Sequence, residues 1–203
     1  MELAVTLIPI LEDNYVFLIK SENLNDVSLV DSGESKQCLE ILDKNHYDLK
    51  SIFITHHHDD HIEGIANLKR KFPNAIVYAP EKNKIQIPLA DVYVYDSQKI
   101  TVGKINFDVI ELPGHTLGIL GYFEPEAKLL FSGDVLFGLG CGRLFEGTAQ
   151  MLYQSLNKIK QLPPETLVYC THEYTETNLR FTEMLIETKK IPPAIQFRNL
   201  QKL

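Results

Sequence analysis

The run Leu49-Lys50-Ser51-Ile52-Phe53-Ile54-Thr55 passes directly into His56-His57-His58-Asp59-Asp60-His61. Its first half is a short, apolar, β-branched segment of the kind that forms a buried strand. Its second half packs four of the chain's seven histidines and two carboxylates into six residues. Beyond it, Ile62, Ile65, Leu68 and Phe72 recur at spacings of three and four, and Lys69, Arg70 and Lys71 stand where a helix C-terminus favours positive charge. A helix is therefore predicted over 62–72. The histidine-rich stretch reads as the loop between strand and helix, at the strand's C-terminal end, where open α/β sheets place their sites.

Upstream, apolar runs at 3–8, 15–20 and 27–30 predict three strands. The third ends in the turn Asp31-Ser32-Gly33, and a helix follows over 35–45. Downstream, strands are predicted at 75–78 and 92–95, and hairpins at 100–102 with 105–112 and at 117–123 with 128–131. An amphipathic helix over 149–162 stops at Pro163-Pro164, a strand covers 166–170, and a last helix covers 175–189. Four strands run into metal-ligand chemistry: the one before His56, and those before Pro113-Gly114-His115, Ser132-Gly133-Asp134 and Thr171-His172.

The chain has 203 residues, 44% of them hydrophobic, which is enough for one full core. A net charge of −7 argues against a nucleic-acid partner. The N-terminal apolar run is too short and too interrupted to span a bilayer and lacks the basic flank of a leader, so no membrane association is expected. Three cysteines without framework spacing, Cys38, Cys141 and Cys170, fit reduced thiols in the cytoplasm. A monomer is expected.

His56, His58, Asp60, His61, His115, Asp134 and His172 are the candidate ligands. Imidazole and carboxylate together suit zinc, iron or manganese, and a set free of Cys argues against a closed structural zinc site. Seven ligands exceed what one ion needs. Sharing Asp134 as a bridge gives two sets of four with room for a water, whose pKa two divalent ions would bring to about 7. His57 and Asp59 alternate with the ligands and are expected to face away.

The string Thr55 to His61 with later His115, Asp134 and His172 resembles the metallo-β-lactamase superfamily signature. The resemblance implies an α+β fold, a four-layer αββα sandwich over 1–172 with metals at one edge. A short helical C-terminal segment over 173–203 would be a truncated form of the family's helical region. Within the superfamily, Phe131 to Phe137, Gly140-Cys141-Gly142-Arg143-Leu144-Phe145-Glu146-Gly147-Thr148, Thr171 to Thr175 and Asn178 to Phe181 resemble glyoxalase II, the hydroxyacylglutathione hydrolases.

That resemblance implies His56, His58 and His115 on one metal, Asp60, His61 and His172 on the other, and Asp134 between. Arg143, Phe145 and Tyr174 fall where the family contacts glutathione. The sequence departs from the pattern at Glu63, where Gly is usual, and at Phe145, often Tyr. It also ends at Leu203, before the basic residues that hold the glycine carboxylate, a role Arg198 or Lys202 could take.

The expected activity is hydrolysis of glutathione thioesters, S-D-lactoylglutathione to D-lactate and glutathione, by a hydroxide bridging two divalent ions, zinc foremost. Asp134 and Asp60 are the expected catalytic carboxylates. The alternatives are a mononuclear-iron persulfide dioxygenase, a hydrolase of other thioesters, and a non-catalytic binding domain, which a missing ligand would have marked. Two ions per chain separate the hydrolase from the dioxygenase.

Overall fold

The computed structural model describes residues 3–21 and 25–188. β1 (Leu3–Ile10) and β2 (Asn14–Ser21) pair antiparallel, and β3 (Asp26–Val30) joins β2 in the same sense. β4 (Asp48–Phe53), β5 (Ile76–Pro80) and β6 (Val92–Val94) then add in parallel, giving a six-stranded sheet in sequence order. The second sheet begins with β7 (Lys99–Val102), β8 (Ile105–Glu111), β9 (Leu120–Glu124) and β10 (Leu129–Gly133). After a two-residue hairpin of β11 (Leu136–Phe137) and β12 (Gly140–Cys141), β13 (Leu167–Cys170) completes it in parallel with β10, in the order β13-β10-β9-β8-β7.

Strand alternation sorts the core into three apolar layers. In β2, Phe17 and Ile19 face Phe107, Tyr122 and Phe131 of the second sheet, while Val16 and Leu18 face the opposite way. That opposite face is covered by α1 (Lys36–Lys44), through Cys38 and Leu42, and by Ile65 and Leu68. The outer face of the second sheet, with Phe123 and Leu130, is covered by Leu152 and Ile159 of α4 (Ala149–Lys160). Each such side chain contributes about 1.5–3 kcal/mol when fully buried. The result is the expected αββα sandwich. β13 is an edge strand, which is why Leu167 and Val168 stay exposed in an apolar run.

The helix predicted over 62–72 is in fact two. α2 (Asp59–Ile62) starts inside the histidine-rich stretch, and α3 (Ile65–Lys71) follows after a break at Glu63-Gly64. Asp59 and Asp60 occupy the first turn, where a helix favours negative charge, so Asp60 and His61 stand on a helical turn instead of a loop. The break is held by Gly64 N–H donating to the Ser32 carbonyl at 2.7 Å. The last helix, α5, spans Thr175–Glu187. Arg198 and Lys202 lie outside the described residues. No helix among the described residues is long and apolar enough to cross a membrane.

The sheets are tied together beside the histidines. The buried Tyr122 hydroxyl donates to the Ile54 carbonyl at 2.7 Å, and Leu120 N–H donates to the Thr55 carbonyl at 2.9 Å. Tyr122→Phe strands a buried carbonyl and should cost about 1–2 kcal/mol. A lower urea midpoint with an unchanged slope is the expected reading; an unchanged midpoint would show that this link carries no stability.

Candidate metal centre

His56 and His58 leave the end of β4, while Asp60 and His61 follow on α2. His115 lies beyond β8, Asp134 follows β10, and His172 follows β13. An antiparallel bridge between Asn14 and His172 and the bond from Tyr15 N–H to the Thr171 carbonyl (2.7 Å) draw the end of β13 onto the β1–β2 turn. All seven predicted ligands meet in one cluster.

Three overlapping sets of donor atoms each gather within 4.8 Å: His56, His58 and His115; Asp60, His61 and His172; and, between them, His56, His61 and Asp134. In the first, His58 Nδ1 lies 3.0 Å from both His56 Nε2 and His115 Nε2. The far nitrogens settle the tautomers. His115 Nδ1 lies 2.8 Å from the Arg143 carbonyl, which can only accept. Thr55 Oγ1 gives its proton to Asp31 (3.0 Å), so it accepts from His56 Nδ1 at 3.1 Å. Both Nε2 atoms therefore present bare lone pairs to His58 Nδ1, which has at most one proton to offer. A cation satisfies all three nitrogens at once, and the donor set fits one.

In the second set, Asp13 Oδ1 accepts from His172 Nδ1 at 3.0 Å, turning Nε2 toward Asp60 Oδ2 (3.4 Å) and Asp134 Oδ2 (3.2 Å). His61 Nδ1 lies 3.0 Å from Asp31 Oδ2, yet neither ring nitrogen of this fully buried imidazole makes a directed hydrogen bond. That contact is one of charge. Asp134 Oδ1, also buried and without a hydrogen bond, lies 3.4 Å from His61 Nε2, and Oδ2 lies 3.4 Å from His115 Nε2. The Asp134 carboxylate thus touches both sets. These buried atoms of Asp134 and His61, without hydrogen-bond partners, fit a divalent ion.

The first two sets differ in protonation. Burial, reinforced by the neighbouring imidazoles, lowers the pKa of His56 and His58; burial also lowers that of His115, against the pull of Asp134. Burial acts the same way on His61 and His172, but carboxylates outweigh it. Asp31 and Asp134 push His61 up to about 9, and bonds to Asp134 and Asp60 push His172 up to about 11. Burial favours the neutral forms of Asp60 and Asp134, yet His172 and His61 hold both below the usual carboxylate range.

The predicted substrate residues form a rim. Phe145 packs edge-on against His58 (5.3 Å between centroids) and His115 (5.2 Å), with the Arg143 guanidinium 5.1 Å over its ring. Gly142 lets this loop close in, since a Cβ there would stand 1.8 Å from the Asp134 carbonyl oxygen. Tyr174 stacks on His172 at 4.9 Å and its hydroxyl lies 3.2 Å from His172 Nδ1; burial first, then the nearby carboxylates, push that hydroxyl up to about 12. His57 does turn away, toward Asn83 and Glu146.

Sequence reasoning missed the residues behind the ligands. Asp31 is 1% exposed and receives Thr55 N–H at 2.8 Å; Asn14 Nδ2 donates to Asp60 Oδ2 at 2.8 Å; Asp13 orients His172. Asp31 carried the same signal as Asp134, an acid ending an apolar strand. Asp13 and Asn14 sit in an ordinary turn and carried none.

Residues 12–172 match the family described as the metallo-beta-lactamase superfamily. The hydroxyacylglutathione hydrolase of Bdellovibrio bacteriovorus is 50% identical over 188 residues, 93% of this chain and 74% of that protein. Among solved structures, the BLEG-1 B3 metallo-beta-lactamase superposes with a TM-score of 0.78 at 25% identity, covering 84% of this chain and 92% of that one. ETHE1 from Myxococcus xanthus superposes at 0.74 with 27% identity, covering 95% and 93%. The histidine cluster, the sandwich and these likenesses agree, and the chain belongs to the metallo-beta-lactamase superfamily, within its hydroxyacylglutathione hydrolase family.

Proposed function

We infer that this chain hydrolyses glutathione thioesters, S-D-lactoylglutathione foremost, and holds two divalent ions, zinc before iron or manganese. The observation that carries the reading is the pair of donor sets with the Asp134 carboxylate against both. His56, His58 and His115 would hold one ion, Asp60, His61 and His172 the other, with Asp134 shared. Bound there, the ions supply Lewis-acid polarisation of a carbonyl and a water acidic enough to attack at neutral pH.

The chain's own residues do the rest. Asp13, Thr55 and the Arg143 carbonyl fix His172, His56 and His115 so that each points Nε2 inward. Asn14, His61 and His172 all contact Asp60 Oδ2, which leaves Oδ1 to accept a hydrogen bond from water and orient it. Phe145 shields the His58–His115 side from bulk solvent. Arg143 offers a planar fork of donors to a peptide carbonyl or carboxylate, and Tyr174 lines the His172 side. A mononuclear-iron persulfide dioxygenase would leave the Asp60–His61–His172 set without a use. A cytoplasmic location belongs to the same reading, supported by three free cysteines, and a monomer is its expected state of assembly.

Metal analysis should return two ions per chain, and loss of thioester absorbance should follow addition of lactoylglutathione. Asp134→Ala and His58→Ala should each slow that reaction more than a hundredfold, and Asp13→Ala should weaken metal binding about 10–100-fold. Full activity in Asp134→Ala would sink the metal assignment.

The raised imidazoles give a pH signature in protein stripped by a chelator. His61 and His172 titrate near about 9 and about 11 when folded, against about 6.5 unfolded. Their stabilisation is fully present below the unfolded value and is lost as pH rises through the folded ones. The denaturation midpoint of metal-free protein should therefore fall between about pH 6.5 and about pH 11. A flat midpoint over that window would show that these pairs do not stabilise the fold.

A further inference from the structure

We propose that His57, the one histidine of the 56–61 cluster outside both donor sets, is a positioning residue. With Glu146 it latches the loop bearing Arg143 and Phe145 over the metal site, and so sets substrate affinity rather than turnover. The proposal rests on the hydrolase reading above for what the loop binds, but the latch itself stands on contacts.

His57 is bonded on one side and in polar contact on the other. Asn83, 3% exposed, brings its Nδ2 to 3.0 Å from His57 Nδ1. The amide N–H donates there, so the imidazole proton sits on Nε2. That nitrogen lies 3.4 Å from Glu146 Oε1. The other Glu146 oxygen, Oε2, accepts Leu117 N–H at 2.7 Å. Asn83 is itself locked, because its side chain fills the space a Cβ at Gly118 would occupy, 2.5 Å away. The line Asn83, His57, Glu146, Leu117 thus joins four separate segments of the chain.

What the line restrains is the rim. Phe145 and Glu146 N–H both reach the His115 carbonyl, at 3.1 and 3.3 Å, and Gly147 N–H reaches the Gly114 carbonyl at 3.1 Å. Gly142 N–H on the Val135 carbonyl (3.1 Å) and His115 Nδ1 on the Arg143 carbonyl (2.8 Å) hold the start of the loop as well. The Glu146 side chain adds a further attachment, across to His57 in the segment that carries the ligands. The Arg143 and Phe145 side chains are exposed, and the Phe145 ring is held by packing on His58 and His115. Side-chain exposures of 16% for His57 and 35% for Glu146 leave the contact partly open to solvent.

His57→Ala should raise KM for lactoylglutathione about fivefold, leave kcat within about twofold and keep two ions per chain. His57→Gln, which retains an N–H donor, should restore most of the affinity. Glu146→Ala should match His57→Ala, and the double variant should be no worse than either, since one contact is being removed. Hydrogen–deuterium exchange of the 142–148 segment should quicken in His57→Ala and Glu146→Ala and not in His57→Gln. This readout needs no substrate, so it decides the latch even if wild-type protein proves inactive on lactoylglutathione and the hydrolase reading falls. Additive KM effects, unchanged exchange, or loss of metal in both His57→Ala and His57→Gln would each overturn the proposal.

Discussion

One buried carboxylate holds the site together. Asp31 is 1% exposed, and its two oxygens take Thr55 N–H, the Thr55 hydroxyl, the Thr171 hydroxyl at 3.4 Å and the charge of His61 at 3.0 Å. Those partners come from the ends of β4 and β13 and from α2, while Asp31 itself ends β3. A buried charge is expensive unless it is bonded on every side, and this one is. The backbone concedes something as well, since Asp31 sits at φ +59°, a region that Asp tolerates better than most residues. Four elements converge on an anion, and the ligands are carried on those elements.

The rest of the centre follows from strand ends. Parallel pairing of β3, β4 and β5, and of β10 with β13, places the C-terminal ends of these strands together, so residues far apart in sequence become neighbours. Close backbone approach then needs room. Gly33 provides it beside α2, where a Cβ would meet the Asp60 carbonyl oxygen at 1.8 Å, and Gly142 provides it beside Asp134. The donors are thereby set by rigid elements and close packing, with little left to rotamer choice. A prearranged set of neutral imidazoles on one side and charge-paired imidazoles on the other results directly from where Asp31, Asp60 and Asp134 stand.

Much of this was legible in the residues, and the remainder was hidden for identifiable reasons. The apolar runs and the ligand cluster after β4 announce strands and metal, because both depend on local spacing, while the sandwich was implied by the family resemblance. The split between α2 and α3 is invisible to periodicity. Ile62, Ile65 and Leu68 keep their helical spacing through the break, and only the Ser32 carbonyl across the fold explains the interruption at Gly64. Asp13 and Asn14 read as turn formers, and their partner His172 is more than 150 residues away. Leu167 and Val168 read as core, yet an edge position leaves them exposed. Ligand type is written locally; what orients a ligand is a tertiary fact.

Burial divides chemistry from recognition. His56, His61, His115, Asp134 and His172 are all below 9% exposure, so any change among them disturbs the core of the site. Phe145, at 58%, belongs to a surface loop that touches the imidazoles by ring packing and hangs from the carbonyls of residues 114 and 115. Such a loop can change its side chains while its backbone bonds and Gly142 stay in place, leaving the donor geometry intact. Substrate class is therefore the more replaceable property of this scaffold, and metal chemistry the less. That ordering explains physically how one sandwich can serve a thioester hydrolase here and a B3 metallo-beta-lactamase in a relative that superposes at 0.78.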